Sequence, residues 1–279
     1  MEYPAKTRKN FHQSLHWQRN LDSRQDFELR FYHNYLTGED EPRPLGTLAE
    51  ELGIPPGLIP ILFPGFEDFQ LPPIELETRS HRLDLELRHN IAFNPKLRLN
   101  WGGAVRYDRA RSEWLFDADD WLSDTSYRLF TNIEARPATW LTLNLGLMGE
   151  KNEISDAYLS PRFSANFHIN PQQTVRLTGS RGYRPPSLLE AYQFQAYRAQ
   201  EVVGLPPDLQ VLTDPDIENE SVVNYEISYL GEFPRFGLTL DVKFFTEEQK
   251  HLIEEARAED FPGDIASPAL IRTNAIDMT

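Results

Sequence analysis

Cysteine is absent from the 279 residues, so the chain can form neither a disulfide framework nor a thiolate metal site. No apolar run reaches the roughly 18 residues that a transmembrane helix requires. The first residues lack the apolar core of a signal peptide, so an exported precursor would have to begin upstream of Met1. Basic residues are also scarce, because 28 Lys and Arg stand against 43 Asp and Glu. This excess of negative charge argues against nucleic acid as a partner, since phosphate recognition requires cations.

The sequence is instead rich in long segments that alternate between apolar and polar residues. In LSPRFSANFHIN, which runs from Leu159 to Asn170, every second residue avoids water and most residues between them are polar. About ten segments follow this pattern, and an eleventh is expected to begin near Ile271. A period of two is typical of β-strands, and about 9–11 residues suit a tilted strand that crosses a bilayer. The pattern therefore predicts an all-β fold.

The connections between these segments alternate between short turns and long loops. Short turns are predicted at residues 22–25, 94–96, 136–139, 170–173 and 234–237. Long connections are predicted from Leu36 to Pro73, Asp108 to Asp124, Gly182 to Ser221 and Lys250 to Arg272. The long connections hold 25 of the 43 acidic residues but only 8 of the 28 basic ones. Turns at one end and acidic loops at the other favour an antiparallel transmembrane β-barrel over a soluble β-sandwich.

The polar face of the predicted strands is crowded with charged residues, among them Arg82, Asp84, Arg106 and Arg128. A narrow barrel would have to desolvate these groups at a high cost, so we expect a wide lumen. About ten or eleven meander strands do not close such a barrel, and an open strand edge in lipid leaves backbone groups unpaired. We therefore expect residues 1–279 to be one barrel domain that is incomplete at both ends, with no plug domain.

Two motifs carry a family resemblance. One is LSPRFSANFHINPQQTVRLTGSRGYRPPSLLEAY, and the other is DPDIENESVVNYEISYLGEF. Both resemble elements in the barrel of TonB-dependent outer-membrane receptors, although Ser228 stands where that family usually has glycine. The residues that carry the resemblance are Ser160, Pro161, Arg162, Arg184, Pro186, Ser187, Glu190, Tyr225, Glu226 and Tyr229.

The resemblance implies a barrel of about 22 strands with an N-terminal plug in the outer membrane of a Gram-negative bacterium. Such a receptor imports a scarce ligand, which is a siderophore-iron complex, haem, cobalamin or an oligosaccharide, with energy relayed by TonB. The expected partners are that small molecule, outer-membrane lipid and lipopolysaccharide, and TonB through the plug rather than through this segment. No cofactor is expected. A passive porin and a structural or adhesin barrel are the alternatives, and the absence of catalytic motifs argues against an enzyme.

Aromatic residues in the predicted loops are candidates for ligand contact. The acidic segment EWLFDADDW contains three of them, and the others follow the strand that ends near Arg184. The candidates are Trp114, Phe116, Trp121, Tyr183, Arg184, Tyr192, Phe194 and Tyr197. Two other interpretations stay open: the Trp-rich loop anchors the outer rim, and Arg184 closes the strand end while Ser187 and Glu190 form a helix capping box. No metal site is expected, because the aspartates lack calcium-loop spacing.

Overall fold

The structure is a computed structural model that describes residues 6–40, 43–44, 61, 70–71, 78–116, 118–196, 210–257 and 269–274. Its strands are β1 (Lys6–Asn20), β2 (Gln25–Asp40), β3 (Arg43–Pro44), β4 (Gln70–Leu71), β5 (Thr78–Asn94), β6 (Leu97–Ser112), β7 (Ala118–Ala138), β8 (Leu141–Lys151), β9 (Tyr158–Asn170), β10 (Gln173–Arg184), β11 (Gln195–Ala196), β12 (Gln210–Thr213), β13 (Glu220–Phe233), β14 (Leu238–Lys250), β15 (Ile253–Arg257) and β16 (Ala269–Asn274). The described residues also form the short helices α1 (Glu113–Phe116) and α2 (Leu188–Tyr192) and a 3₁₀ turn over Pro234–Phe236.

Ten strands form one antiparallel meander in the order β1-β2-β5-β6-β7-β8-β9-β10-β13-β14. The predicted all-β meander is therefore confirmed. The five predicted short turns all join neighbours in this sheet. Three of them are fixed by an Asp or Asn side chain that accepts a backbone N–H two residues later, at Asp22, Asn94 and Asn170. In the fifth turn, Gly237 adopts the left-handed conformation, with φ of 58°.

The hairpin of β6 and β7 differs from the prediction of a long loop between Asp108 and Asp124. Strand β6 continues to Ser112 and β7 begins at Ala118, so that most of this segment is paired strand capped by α1. The pairing persists to Ala110 opposite Leu122, where the register shifts. The strands therefore extend well past the length that a bilayer requires.

A second, four-stranded sheet has the order β11-β12-β16-β15 and lies at the end of the molecule that carries the tip of the β6–β7 hairpin. Strands β12 and β16 pair in parallel, and Ile271 between them is only 1% exposed. The predicted strand near Ile271 therefore forms, but it belongs to this small sheet and does not continue the meander. Strands β3 and β4 pair separately.

The two faces of the meander differ in chemistry because cross-strand partners share a face. One continuous row reads Leu97, Ala135, Leu143, Ala165, Leu177, Ile227 and Phe244. No second sheet covers this face among the described residues, and Leu129 and Phe244 are 72% and 71% exposed. A sandwich would bury such residues, so the apolar face is the outward, lipid-facing wall of a barrel. Among the described residues, no helix has the length and apolarity to span a membrane.

Candidate functional site

Ion pairs follow the polar, inward face of the meander. Arg82 contacts Asp108 at 2.6 Å and Arg106 contacts Asp84 at 2.9 Å, and in both cases the two residues are direct cross-strand partners of β5 and β6. On the next hairpin, Arg128 contacts its partner Glu150 at 2.6 Å. Each of these three cations has a carboxylate beside it, so the three pairs make this part of the inward face polar without adding net charge.

A cleft of about 750 Å³ opens on this inward face, at the end of the strands that carries the long connections. Its walls include Arg82, Arg106, Asp124, Glu150, Tyr158 and Tyr183. The rings of Tyr158 and Tyr183 lie 5.2 Å apart between centroids. Asp124 accepts a hydrogen bond from the backbone N–H of Glu153 at 2.9 Å, which holds the short β8–β9 connection against β7. The cleft offers both hydrogen-bonding groups and aromatic surface to a small molecule.

Arg184 closes one side of the cleft, where β10 ends. Its Nε donates to Glu220 at 2.5 Å, and its two terminal nitrogens donate to the carboxylate of Glu190 at 2.9 and 3.0 Å. Glu220 also accepts the backbone N–H of Ile253 at 2.8 Å. One guanidinium therefore joins the end of β10, helix α2 and the first residue of β13, and through Glu220 it reaches β15. We call this group of Arg184, Glu190 and Glu220 the arginine clamp.

The turn between β10 and α2 is built from its own sequence. Pro185 and Pro186 have no N–H to donate, so the strand ladder ends there. Ser187 accepts the backbone N–H of Glu190 at 3.3 Å, while Glu190 accepts the backbone N–H of Ser187 at 2.8 Å. The predicted capping box is confirmed. Burial alone would raise the pKa of Glu190, but the hydrogen bonds from Arg184 and Ser187 outweigh it and lower the pKa to about 2.

The candidate aromatic residues lie in three different surroundings. Tyr183 lines the cleft beside the arginine clamp. Phe116 is only 7% exposed, so its ring packs inside the loops and is not a free stacking surface. Tyr192 and Phe194 are exposed, and the N–H of Phe194 donates to the carbonyl of Leu115 in α1 at 2.9 Å. The segment after α2 is thereby tied to the tip of the β6–β7 hairpin.

Of the remaining candidates, only Trp121 has a described side chain. Trp121 lies on the outward side of β7 and packs against the guanidinium of Arg109 at 4.5 Å. Trp114 is part of α1, and Tyr197 lies outside the described residues. The structure thus brings Tyr183 and Arg184 together at one site and separates Trp121 from them.

Seven of the ten motif residues occupy three adjacent strands of the meander, and the other three lie in the turn and helix that follow β10. Ser160, Pro161 and Arg162 belong to β9, and Arg162 lies opposite Ser180 of β10. Tyr225, Glu226 and Tyr229 belong to β13, where they lie opposite Gly179, Thr178 and Val175. The motif therefore marks the β9–β10–β13 wall and its closure at the arginine clamp.

Sequence reasoning alone missed the ladder of ion pairs as part of the site. The sequence predicts Asp84 and Arg106 only as residues of the polar face, and it does not single out Glu150 or Tyr158. The available signal was the register of each hairpin, which a short turn fixes.

Comparison with known proteins identifies one family. A family profile described as TonB dependent receptor-like, beta-barrel matches residues 3–276. A search of curated protein sequences finds no match to the chain.

Several solved structures have similar folds. They include a variant of the ferric enterobactin receptor PfeA from Pseudomonas aeruginosa, the siderophore receptor PirA from Acinetobacter baumannii and the FrpB iron transporter from Neisseria meningitidis. The TM-scores are 0.68, 0.65 and 0.64, at sequence identities of 13%, 12% and 12%. The alignments cover 96%, 97% and 98% of this chain, which spans 39%, 40% and 40% of those chains.

Proposed function

Because this chain belongs to the TonB-dependent receptor β-barrel family, we propose that it forms part of the wall of an outer-membrane importer. In this proposal, the cleft on the inward face contributes to binding of a small molecule at the extracellular end of the lumen. The observation that carries the proposal is a one-layer meander whose outward face is apolar and whose inward face holds the cleft. The division into a single barrel domain over residues 1–279 stays a prediction.

The ligand class that we propose is a metal chelate of the siderophore type, neutral or cationic in overall charge. The structures with similar folds include receptors for ferric enterobactin and for siderophores, which supports a chelate. The arginines of the cleft wall are already paired with Asp84, Asp108 and Glu150. The surrounding long connections carry a large excess of carboxylates. Neither feature attracts an anionic complex, because an acidic rim repels negative charge.

The decisive experiment is ligand binding by the purified full-length receptor in detergent. The probes are a neutral trihydroxamate ferric chelate and an anionic tricatecholate ferric chelate, titrated at low and at high ionic strength. We expect the neutral chelate to bind more tightly, with little loss of affinity at high salt, because screening weakens only charge–charge attraction. Tighter binding of the anionic chelate with a steep loss at high salt would contradict the proposed ligand class.

Uptake measurements separate an importer from a passive porin. Cells that express the receptor should take up the bound chelate with saturation, and dissipation of the proton gradient should abolish that uptake. Uptake that rises linearly with concentration and survives loss of the gradient would favour the porin.

A Tyr183→Ala variant should weaken chelate binding, whereas Tyr127→Ala, on the outward face of β7, serves as the matched control.

A further inference from the structure

The outward face of β2, β5 and β6 changes its chemistry toward the end that carries the long connections. One cross-strand row consists of Phe31, Leu85 and Val105, the next of His33, Leu83 and Tyr107, and the next of Tyr35, His81 and Arg109. Successive rows on one face are about 7 Å apart along the strand. The apolar wall therefore gives way to rings, and then to a cation, within about 14 Å.

The side chains at this transition contact one another. The rings of His33 and His81 stack with their centroids 5.5 Å apart, and Nε2 of His33 lies 3.2 Å from Nδ1 of His81. Tyr35 and Trp121 flank His81 at 4.5 and 5.5 Å between ring centroids. Arg109 lies over the indole of Trp121, 4.5 Å from its centroid. We call these five residues, His33, Tyr35, His81, Arg109 and Trp121, the outer cluster.

The charge of the outer cluster differs from that of the inward face at the same height. Strand alternation puts Arg82 and Asp108 inward, where they pair with each other. Arg109 points to the opposite side, and no carboxylate among the described side chains forms an ion pair with it. An aromatic surface positions its guanidinium, and such stacking covers the face of the guanidinium and not the N–H donors at its edge.

We propose that the outer cluster binds a phosphate group of an outer-leaflet lipid, while the acyl chains of that lipid lie along Phe31, Leu85 and Val105. Arg109 supplies charge-assisted hydrogen bonds to the phosphate. Tyr35, Trp121 and the two histidines supply rings at the depth where a membrane changes from hydrocarbon to headgroup. The acidic connections above this surface repel anionic headgroups, so a cation directed outward is what makes a phosphate contact favourable here. This inference rests on the proposed membrane placement and not on the proposed ligand.

The test is lipid binding by the full-length receptor in a non-ionic detergent, followed by native mass spectrometry without any chelate. The probes are diphosphoryl lipid A and zwitterionic phosphatidylcholine. We expect Arg109→Gln to lower affinity for diphosphoryl lipid A about fivefold, the effect of one basic residue at an anionic membrane surface. Binding of phosphatidylcholine should be unchanged, because its own choline cation offsets the charge of its phosphate.

Two variants keep this experiment interpretable. Arg109→Lys retains the positive charge but loses the planar fork of donors, so its affinity for lipid A should lie between those of Arg109→Gln and the unmodified receptor. Arg19→Gln removes an outward cation at the opposite end of the strands, since Arg19 lies opposite Phe27, and should bind lipid A as the unmodified receptor does. Heat-modifiable migration in gels checks that each barrel is folded.

Three results would overturn the inference. The first is equal lipid A affinity for Arg109→Gln and the unmodified receptor. The second is complete displacement of lipid A by inorganic phosphate, which would make the cluster a site for the free anion. The third is a change in oligomeric mass in place of a change in lipid binding, which would assign the surface to a second copy of the chain. Chelate binding on the same preparations tests the proposed function separately, so either idea can fail without the other.

Discussion

A single residue, Glu190, takes part in four hydrogen bonds that close the cleft. Its carboxylate accepts two from Arg184 and one from the backbone N–H of Ser187, and its own backbone N–H donates the fourth to the hydroxyl of Ser187. The pKa of the Glu190 carboxyl is about 2, below its ordinary value of 4.5. Burial would raise this pKa, but the hydrogen bonds from Arg184 and Ser187 lower it by more. A carboxylate with a lowered folded-state pKa adds stability that is fully present above the unfolded value and is lost as pH falls toward the folded value. Glu190 should therefore stabilise the closure at neutral pH and lose this effect between about pH 4.5 and pH 2.

The corresponding variant is Glu190→Gln, compared with the unmodified full-length receptor by thermal unfolding from neutral pH down to about pH 2.5. We expect a constant difference in unfolding midpoint above about pH 5, and a difference that shrinks as the solution becomes more acidic. Glu232→Gln, an exposed residue near the opposite end of β13, is the control and should leave the midpoint unchanged. A difference between Glu190→Gln and the unmodified receptor that does not vary with pH would contradict the assignment.

Close packing between strands β5, β6 and β7 depends on the absence of a side chain at one position of β6. A Cβ on Gly102 would lie 2.2 Å from the carbonyl oxygen of Leu87 and 2.6 Å from the ring of Phe130. Gly102→Ala should therefore destabilise the barrel by about 1–3 kcal/mol, as overpacking does. Denaturant titration of the folded band in gels measures this loss. Gly38→Ala is the matched control, because the nearest atom to its Cβ is 4.0 Å away, and an equal loss in both variants would refute the steric explanation.

Strand pairing around Pro95 shows how much of the site could have been predicted. Arg82 and Asp108 lie at equal distances in sequence from Pro95, and so do Asp84 and Arg106; a tight turn there therefore predicts both ion pairs. The same reasoning does not reach the arginine clamp. Glu220 meets Arg184 only because the chain returns to β10 after a long connection, and nothing local in the sequence specifies that return.

The two sheets of the whole molecule differ in how far sequence specifies them. The meander follows from alternation and short turns, because each strand pairs with a neighbour in the chain. Strand β16 has the same alternation, yet it pairs in parallel with β12, which lies far earlier in the sequence. Alternation gives the two faces of a strand but not its partner, so the strand near Ile271 was expected and its sheet was not.

If the sheet lies in a membrane, the two faces of β7 should respond differently to the same substitution. Leu129 is on the outward face and Asn132 is on the inward face of the same strand. Leu129→Arg should cost about 2–4 kcal/mol and reduce the amount of assembled barrel, because a cation would face lipid. Asn132→Arg should be tolerated, since its side chain faces the polar lumen. Assembly is measured as the heat-modifiable fraction in outer-membrane preparations, and equal assembly of both variants would argue against a lipid-facing surface.

The arginine clamp also holds together the two ends of the segment that connects β10 to β13. The registers of β9, β10 and β13 are fixed by backbone pairing on one side of the clamp. On the other side, the connecting segment begins at Glu190 and ends at Glu220, and both carboxylates are bound to Arg184. A foreign segment inserted between those two glutamates would have each of its ends next to a carboxylate that is already bound to Arg184. The clamp is thus a graft point, where new recognition loops can be mounted on this wall without redesign of the strands that carry them.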